Sequence, residues 1–318
     1  MEDVANILSE LHELADGLQR GKIRNLALGE RKSGIMGDGR ERYDISEWEP
    51  GDPFNSIDWA LTLIYWPEQI LKINRIETKS LPLVVALDAT QSMLVRFAGE
   101  ESKFRLMLRL AVTLAFSSIH ERDPVCMTSF GNPSAFFLPP RYGKGNLFLA
   151  AELLIDDAAE FYKGIDRSKT QFKPYVSAVD INECLADILA RVRKQALVVM
   201  VSDFTDVIYG RTSIDEELLS GLVARHKDNV VFLILDDEEE LSWTGGVGTV
   251  MTRNIETGRL KEVKASHAVR IRAEHAEKQL VFQKYLEDLG IDSLVLSSNN
   301  WFDKLADFAA GRQSSSVA

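Results

Sequence analysis

A mixed α/β fold, with a mostly parallel sheet carrying helices on both faces and a smaller β-rich region, is predicted by three features of this chain. The segments LVVALD (83–88), ALVVMVSD (196–203) and NVVFLILD (229–236) are apolar throughout rather than alternating, as strands are when both faces of their sheet are covered. Segments of helical periodicity separate them. Each of the three also ends in aspartate, at Asp88, Asp203 and Asp236.

The elements follow in order. Ile7, Leu8, Leu11, Leu14 and Leu18 make a helical stripe over 3–19. The stretch from Gly21 to Arg42 is glycine-rich and locally basic, which predicts loop with short extended pieces. RYDISEWEP and EQILKINRIE read as strands. After LVVALD comes KFRLMLRLAVTLAFSSI, apolar nearly all round and therefore an interior helix. PVCMTSF is a strand extended by SAFFLPP towards a hairpin; NLFLAAELLI and DINECLADILARV are helices. SIDEELLSGLVARH is a helix that Ser213 is placed to cap, with Glu216 at capping-box spacing. Turn signals at Gly245-Gly246 and Thr257-Gly258 predict β-hairpins inserted at 236–265. A helix over 267–289, the strand DSLVLS and the helix WFDKLADFAA close the sequence. The expected organisation is an N-terminal helix and β-rich region over 1–80, the α/β domain over 81–310 with the 236–265 insertion, and a disordered tail over 311–318.

Composition narrows the function. The 318 residues are 45% hydrophobic and 27% charged, ordinary globular values. Net charge is −11, from 48 acidic and 37 basic side chains, which disfavours nonspecific binding to nucleic acid or to anionic lipid. Glu2 and Asp3 give the start the wrong charge for a signal peptide, and no apolar run is long enough to span a bilayer. With only Cys126 and Cys184, both in apolar segments, the expectation is a protein of the reducing cytoplasm with two buried thiols.

The candidate site lies in LPLVVALDATQSML, where a buried strand delivers Asp88, Thr90 and Ser92 to one turn. Ligands of open α/β sheets collect beyond the carboxyl ends of the strands, where Asp203 also falls. Any one of these aspartates can simply bond its own turn; the combination with two hydroxyls points to a site. Aspartyl-phosphate chemistry needs a second carboxylate two residues after the nucleophile, and that position is Thr90. A hard divalent cation, Mg²⁺ or Mn²⁺, suits the set better: Thr90 and Ser92 ligate directly, with Asp88 and Asp203 acting through water. Held by few anionic ligands, such a cation keeps positive charge and an open position, so it can capture a partner's carboxylate.

Asp88-Ala-Thr90-Gln-Ser92, the apolar helix behind it and Val-Ser-Asp203 resemble the metal-ion-dependent adhesion site of von Willebrand factor A domains. Tyr43, Trp48-Glu49-Pro50-Gly51-Asp52 and Ile57-Asp58-Trp59, upstream of that loop, resemble the bacterial family called domain of unknown function fifty-eight, as do the closing helix, strand and helix. The resemblance covers about 20 to 310 and implies a von Willebrand factor A-like, Rossmann-type domain. It also implies a partner, a MoxR-type AAA+ ATPase for which such proteins serve as adaptors towards a client protein. The chain departs from the pattern in two places. Val179 stands where the adhesion site takes a threonine, leaving Ser177 or Asp180 as substitutes, and Asp44-Ile45-Ser46-Glu47 stands where the family tends to carry an arginine.

The expectation is therefore a noncatalytic interaction module, not an enzyme. A Mg²⁺-dependent phosphatase or nuclease on the same carboxylates, and a structural domain with a vestigial site, remain as alternatives. The other motifs carry less. Gly51, Asp52, Asp58 and Trp59 suggest a tight turn with a buried indole bonded to a carboxylate. The glycine clusters at 34–39 and 143–146 lack a P-loop ending. The five histidines have no zinc spacing, and His267 and His275 are expected to face solvent. The basic 20–42 segment and the acidic 236–240 run read as solvated faces able to meet partners of opposite charge.

Overall fold

A computed structural model describes residues 2–20, 32–66, 68–78, 80–94, 102–132, 134–164, 180–236, 249–253, 260–264 and 267–315. The chain divides into two compact units, Met1–Gly29 with Pro82–Ala318, and Glu30–Leu81. The N-terminal helix α1 (Glu2–Arg20) thus groups with the α/β unit and not with the β-rich region. The reason is its apolar stripe: Ile7, Leu11 and Ala15, one turn apart, are all buried.

In the smaller unit, β1 (Lys32–Glu47) pairs antiparallel with β2 (Leu71–Thr78) through an irregular register. Between them lies α2 (Trp59–Tyr65). Asp58 caps α2, accepting from the amides of Ala60 and Leu61. Trp59 is 58% exposed, so the indole expected to be buried against a carboxylate is not; the carboxylate serves the helix end. Asp52 pairs with Lys72 at 2.6 Å.

The larger unit holds a six-stranded sheet. Its strands are β3 (Leu83–Asp88), β4 (Val125–Phe130), β5 (Phe137–Arg141), β6 (Leu197–Ser202), β7 (Val230–Leu235) and β10 (Asp292–Leu296), in the order β10-β7-β6-β3-β4-β5. All neighbours run parallel except β4 and β5. Every residue of β3, β4, β6 and β7 is buried, as their unbroken apolar sequences require. Side chains alternate across the sheet. Val84 and Ala86 pack in a cluster with Leu185 of α5 (Ile181–Arg191), Leu219 and Leu222 of α7 (Glu216–His226), and Phe282 and Leu286 of α8 (Ala268–Asp288). Leu87 and Met127 face the other side, towards α3 (Lys103–His120) and α4 (Gly145–Gly164). Helices therefore cover both faces.

The remaining elements refine the sequence reading. Helix α7 begins later than Ser213: Asp215 is its cap, accepting from the amides of Glu217 and Leu218, while the Ser213 carbonyl accepts from Asn182. One hairpin, β8 (Thr249–Arg253) with β9 (Leu260–Lys264), falls in the insertion; the Gly245-Gly246 and Thr257-Gly258 turns and most of the acidic run lie outside the described residues. Helix α9 (Trp301–Ser315) continues past Gly311 into the stretch expected to be tail. Both cysteines are buried and free. Among the described residues no helix is long and apolar enough to cross a membrane.

Phe232, at the middle of β7, has no exposed surface and stacks on Phe204 with ring centroids 5.1 Å apart. Phe232→Ala is expected to cost about 3–5 kcal/mol in a urea unfolding experiment. A loss under about 1 kcal/mol would mean that this core tolerates the cavity.

Candidate functional site

The chain leaves β3 for β4 and β5 on one side and returns to place β6, β7 and β10 on the other. The direction of winding thus reverses between β3 and β6, and a crevice opens beyond their carboxyl ends. β3 and β6 pair from Leu83 with Leu197 to Leu87 with Val201, which sets Asp88 level with Ser202. A cavity of about 170 Å³ lies there, lined by Asp88, Thr90, Ser92, Gly131, Ser202 and Asp203 among others. All four residues singled out in the sequence, Asp88, Thr90, Ser92 and Asp203, therefore line one crevice.

Both aspartates serve their own turn with one oxygen and reach across the fold with the other. Asp88 Oδ1 accepts from the Thr90 amide at 2.8 Å, and Oδ2 accepts from the Ser202 hydroxyl. Asp203 Oδ1 accepts from the Thr205 amide at 3.0 Å, and Oδ2 from Lys103 Nζ at 2.6 Å. The turn-bonding role foreseen for isolated aspartates and the site role thus coexist in the same side chains.

Their charge states differ. Burial, then the neighbouring Asp203 charge, push the Asp88 carboxyl up to about 7, against the opposing pull of its hydroxyl and amide donors. Burial also raises Asp203, but the Lys103 charge and hydrogen bond outweigh it and hold that carboxyl below its usual value. Asp88 is 4% exposed, and no cationic side chain pairs with it among the described residues. A buried carboxylate in that state needs a proton or a cation.

The hydroxyls fit a hard cation. Thr90 Oγ1 and Ser92 Oγ are 2.9 Å apart, close to the roughly 3 Å between adjacent ligands of an octahedron with arms of about 2.1 Å. No group of three or more His, Cys, Asp or Glu side chains able to hold a metal occurs among the described residues, so any metal here must draw on hydroxyls and water. Val179 and Ser177 lie outside the described residues. Asp180 lines the cavity but caps α5, accepting from the Glu183 amide at 2.9 Å. Asp206 is paired with Arg211 at 2.9 Å. Asp236 lies near His275 Nε2, at 3.8 Å, and is not among the cavity's lining residues. His275 is half-sequestered against the Tyr209 hydroxyl, 3.1 Å away, and is not the solvent-facing residue expected.

Three supporting residues escaped the sequence reading. Gly131, directly after β4, has φ +82, and a Cβ there would stand 2.4 Å from Thr90 Cγ2. Only glycine lets the Thr90 loop lie so close to that strand end. Phe204 adopts a left-handed conformation, φ 49, a strained state for an aromatic residue. Its ring, packed against Phe232 and Phe282, holds the turn that presents Asp203 and Thr205. Lys103 is 6% exposed; a lysine opening an otherwise apolar helix was the signal for it.

Fold and site together define a doubly wound α/β protein with a crevice at its switch point that acids and hydroxyls line together with apolar side chains. The family described as "Protein of unknown function DUF58" matches residues 44–283, and the chain belongs to it. No curated protein matches the chain. Among solved structures it is similar to an uncharacterized membrane spanning protein from Vibrio fischeri, at 12% identity and a TM-score of 0.21, over 74% of this chain and 98% of that one. So slight a likeness carries no argument.

Two outcomes are expected. Gly131→Ala should displace the Thr90 loop and lower stability by about 1–3 kcal/mol; an unchanged urea midpoint and unchanged Thr90 amide exchange would contradict the close approach. The raised Asp88 carboxyl also predicts a pH dependence. In its folded state Asp88 stays protonated to about pH 7, whereas unfolded it ionises near 3.8. Its contribution is thus complete below the unfolded value and lost as pH rises through the folded one. In chelator-treated protein, stability relative to Asp88→Asn should fall between about pH 4 and about pH 7, and a constant difference across that range would refute the shift.

Proposed function

We propose that this chain is a noncatalytic interaction module of von Willebrand factor A-like type, which binds an acidic residue of a partner protein through a divalent cation at the Asp88, Thr90, Ser92 and Asp203 site. The observation that carries the reading is the buried Asp88, without a cationic partner among the described residues, beside two hydroxyls at ligand spacing. Thr90 and Ser92 would hold Mg²⁺ or Mn²⁺ directly, and Asp88 and Asp203 would do so through water. When bound, the cation supplies an open position and residual positive charge to receive a carboxylate oxygen. The chain's own residues do the rest: Ser202 and the Thr90 amide orient Asp88, Gly131 admits the Thr90 loop, and Phe204 aims Asp203.

Phosphoester hydrolysis on the same carboxylates is less well supported. Thr90 offers no acid at the second position, and its hydroxyl is engaged with Ser92. The partner we propose, from the family resemblance, is a MoxR-type AAA+ ATPase, with this chain supplying recognition and the ATPase supplying work on a client protein.

The test is capture of that ATPase by the purified chain in the presence of Mg²⁺. Capture should fall at least about tenfold with chelator and with Asp88→Ala, the loss expected when one charged contact is removed. Thr90→Val, which keeps the buried volume, should lower it by a similar factor. Undiminished capture by both variants would exclude this crevice as the docking point.

A further inference from the structure

Lys103 is the one cationic side chain bonded to either site carboxylate among the described residues, and its position is unfavourable on two counts. It is 6% exposed, where lysines are seldom found. It is also the first residue of α3, directly after the Ser102 cap, where the helix dipole disfavours positive charge. Its ammonium nevertheless lies 2.6 Å from Asp203 Oδ2, itself 5% exposed. Buried pairs of this kind often add nothing to stability over an apolar replacement, so a role in the site is the better account.

The charges supply that role. Asp88 and Asp203 bring two negative charges and Lys103 returns one. Of the other acids that line the cavity, Asp180 caps a helix and Asp206 is paired with Arg211. The Asp180 charge is offset in part by the α5 N-terminus that it caps, and Asp88, Asp203 and Lys103, once Asp88 has lost its proton, carry one negative charge as a set. A divalent cation turns it to one positive, and a single carboxylate brings it to neutrality. Without the ammonium, the same cation would be neutralised by Asp88 and Asp203 alone, with no charge left to draw an anion into the crevice.

Resting on the cation site proposed above, we infer that Lys103 is a specificity-determining residue. It weakens the site's hold on the cation and reserves the cation's residual charge for one carboxylate of the partner. Cation and carboxylate then bind with positive coupling, which by linkage is the same whichever enters first.

The test uses the full chain, Mn²⁺ followed by electron paramagnetic resonance, and acetate as the carboxylate probe. In the wild type, excess acetate should tighten Mn²⁺ binding. Lys103→Met should bind Mn²⁺ at least about tenfold more tightly and lose most of the acetate effect, while Lys103→Arg, which keeps the charge, should retain both wild-type properties. A purely structural role for Lys103 would not tighten the metal. If Lys103→Met does not fold, Lys103→Gln, which removes the charge but keeps an N–H donor for Asp203, should likewise bind Mn²⁺ more tightly than wild type, and wild-type affinity in it overturns the inference. Mn²⁺ binding by Lys103→Met that is no tighter than wild type, or an acetate effect that persists in it, also overturns it while leaving the cation site standing. Absence of Mn²⁺ binding in the wild type removes the site itself.

Discussion

The parallel pairing of β3 with β6 is the constraint on which the site depends. Asp88 and Ser202 are more than a hundred positions apart in the chain, yet the register from Leu83–Leu197 to Leu87–Val201 makes them neighbours. Side chains on a strand alternate between faces, so a one-residue slip of β6 would carry Met200 and Val198 out of the cluster beneath α5 and α7. The apolar packing that stabilises the domain and the hydrogen bond that positions Asp88 are therefore fixed by the same register. Neither can shift without the other, which explains why carboxylates and hydroxyls can sit directly on top of strands that are wholly buried.

Beyond the strand ends, geometry passes from the sheet to the turns. Each aspartate bonds the amide two residues ahead, which locks its carboxylate and curls the chain over the sheet rim. Two backbone devices complete the rim on opposite sides of β3. At β4, Gly131 gives up a side chain so that Thr90 can approach. At β6, Phe204 accepts a left-handed conformation and is held in it by its ring, between Phe232 and Phe282. Strain in the second case is sustained by core packing, so the hydrophobic cluster reaches directly into the site.

Much of this was legible in the sequence because it rests on periodicity. Unbroken apolar strands and intervening helices gave the sheet, and a strand-ending aspartate with two following hydroxyls gave the crevice its floor. What escaped depended on contacts between distant segments. Lys103 looks like an ordinary first-turn residue until α3 is laid across the sheet and its ammonium meets Asp203. Gly131 looks like any turn glycine until β4 sits beside Thr90. The Asp58 and Trp59 pair misled for a local reason: the carboxylate caps α2 through two amides and leaves the indole outside. Ser213 misled similarly, since Asp215, two residues on, bonds the same helix end.

The two site carboxylates show how one residue type takes opposite roles. Asp88 and Asp203 are equally buried and stand at the ends of adjacent strands, and burial acts on both in the same direction. A single ammonium separates them: with Lys103 bonded, Asp203 stays charged, whereas Asp88, given only neutral donors, holds its proton to a higher pH. Environments that push two titratable groups apart in this way assign them different work. One carboxylate keeps its charge because a buried ammonium holds it, and the other, bonded to neutral donors alone, takes its proton into the fold.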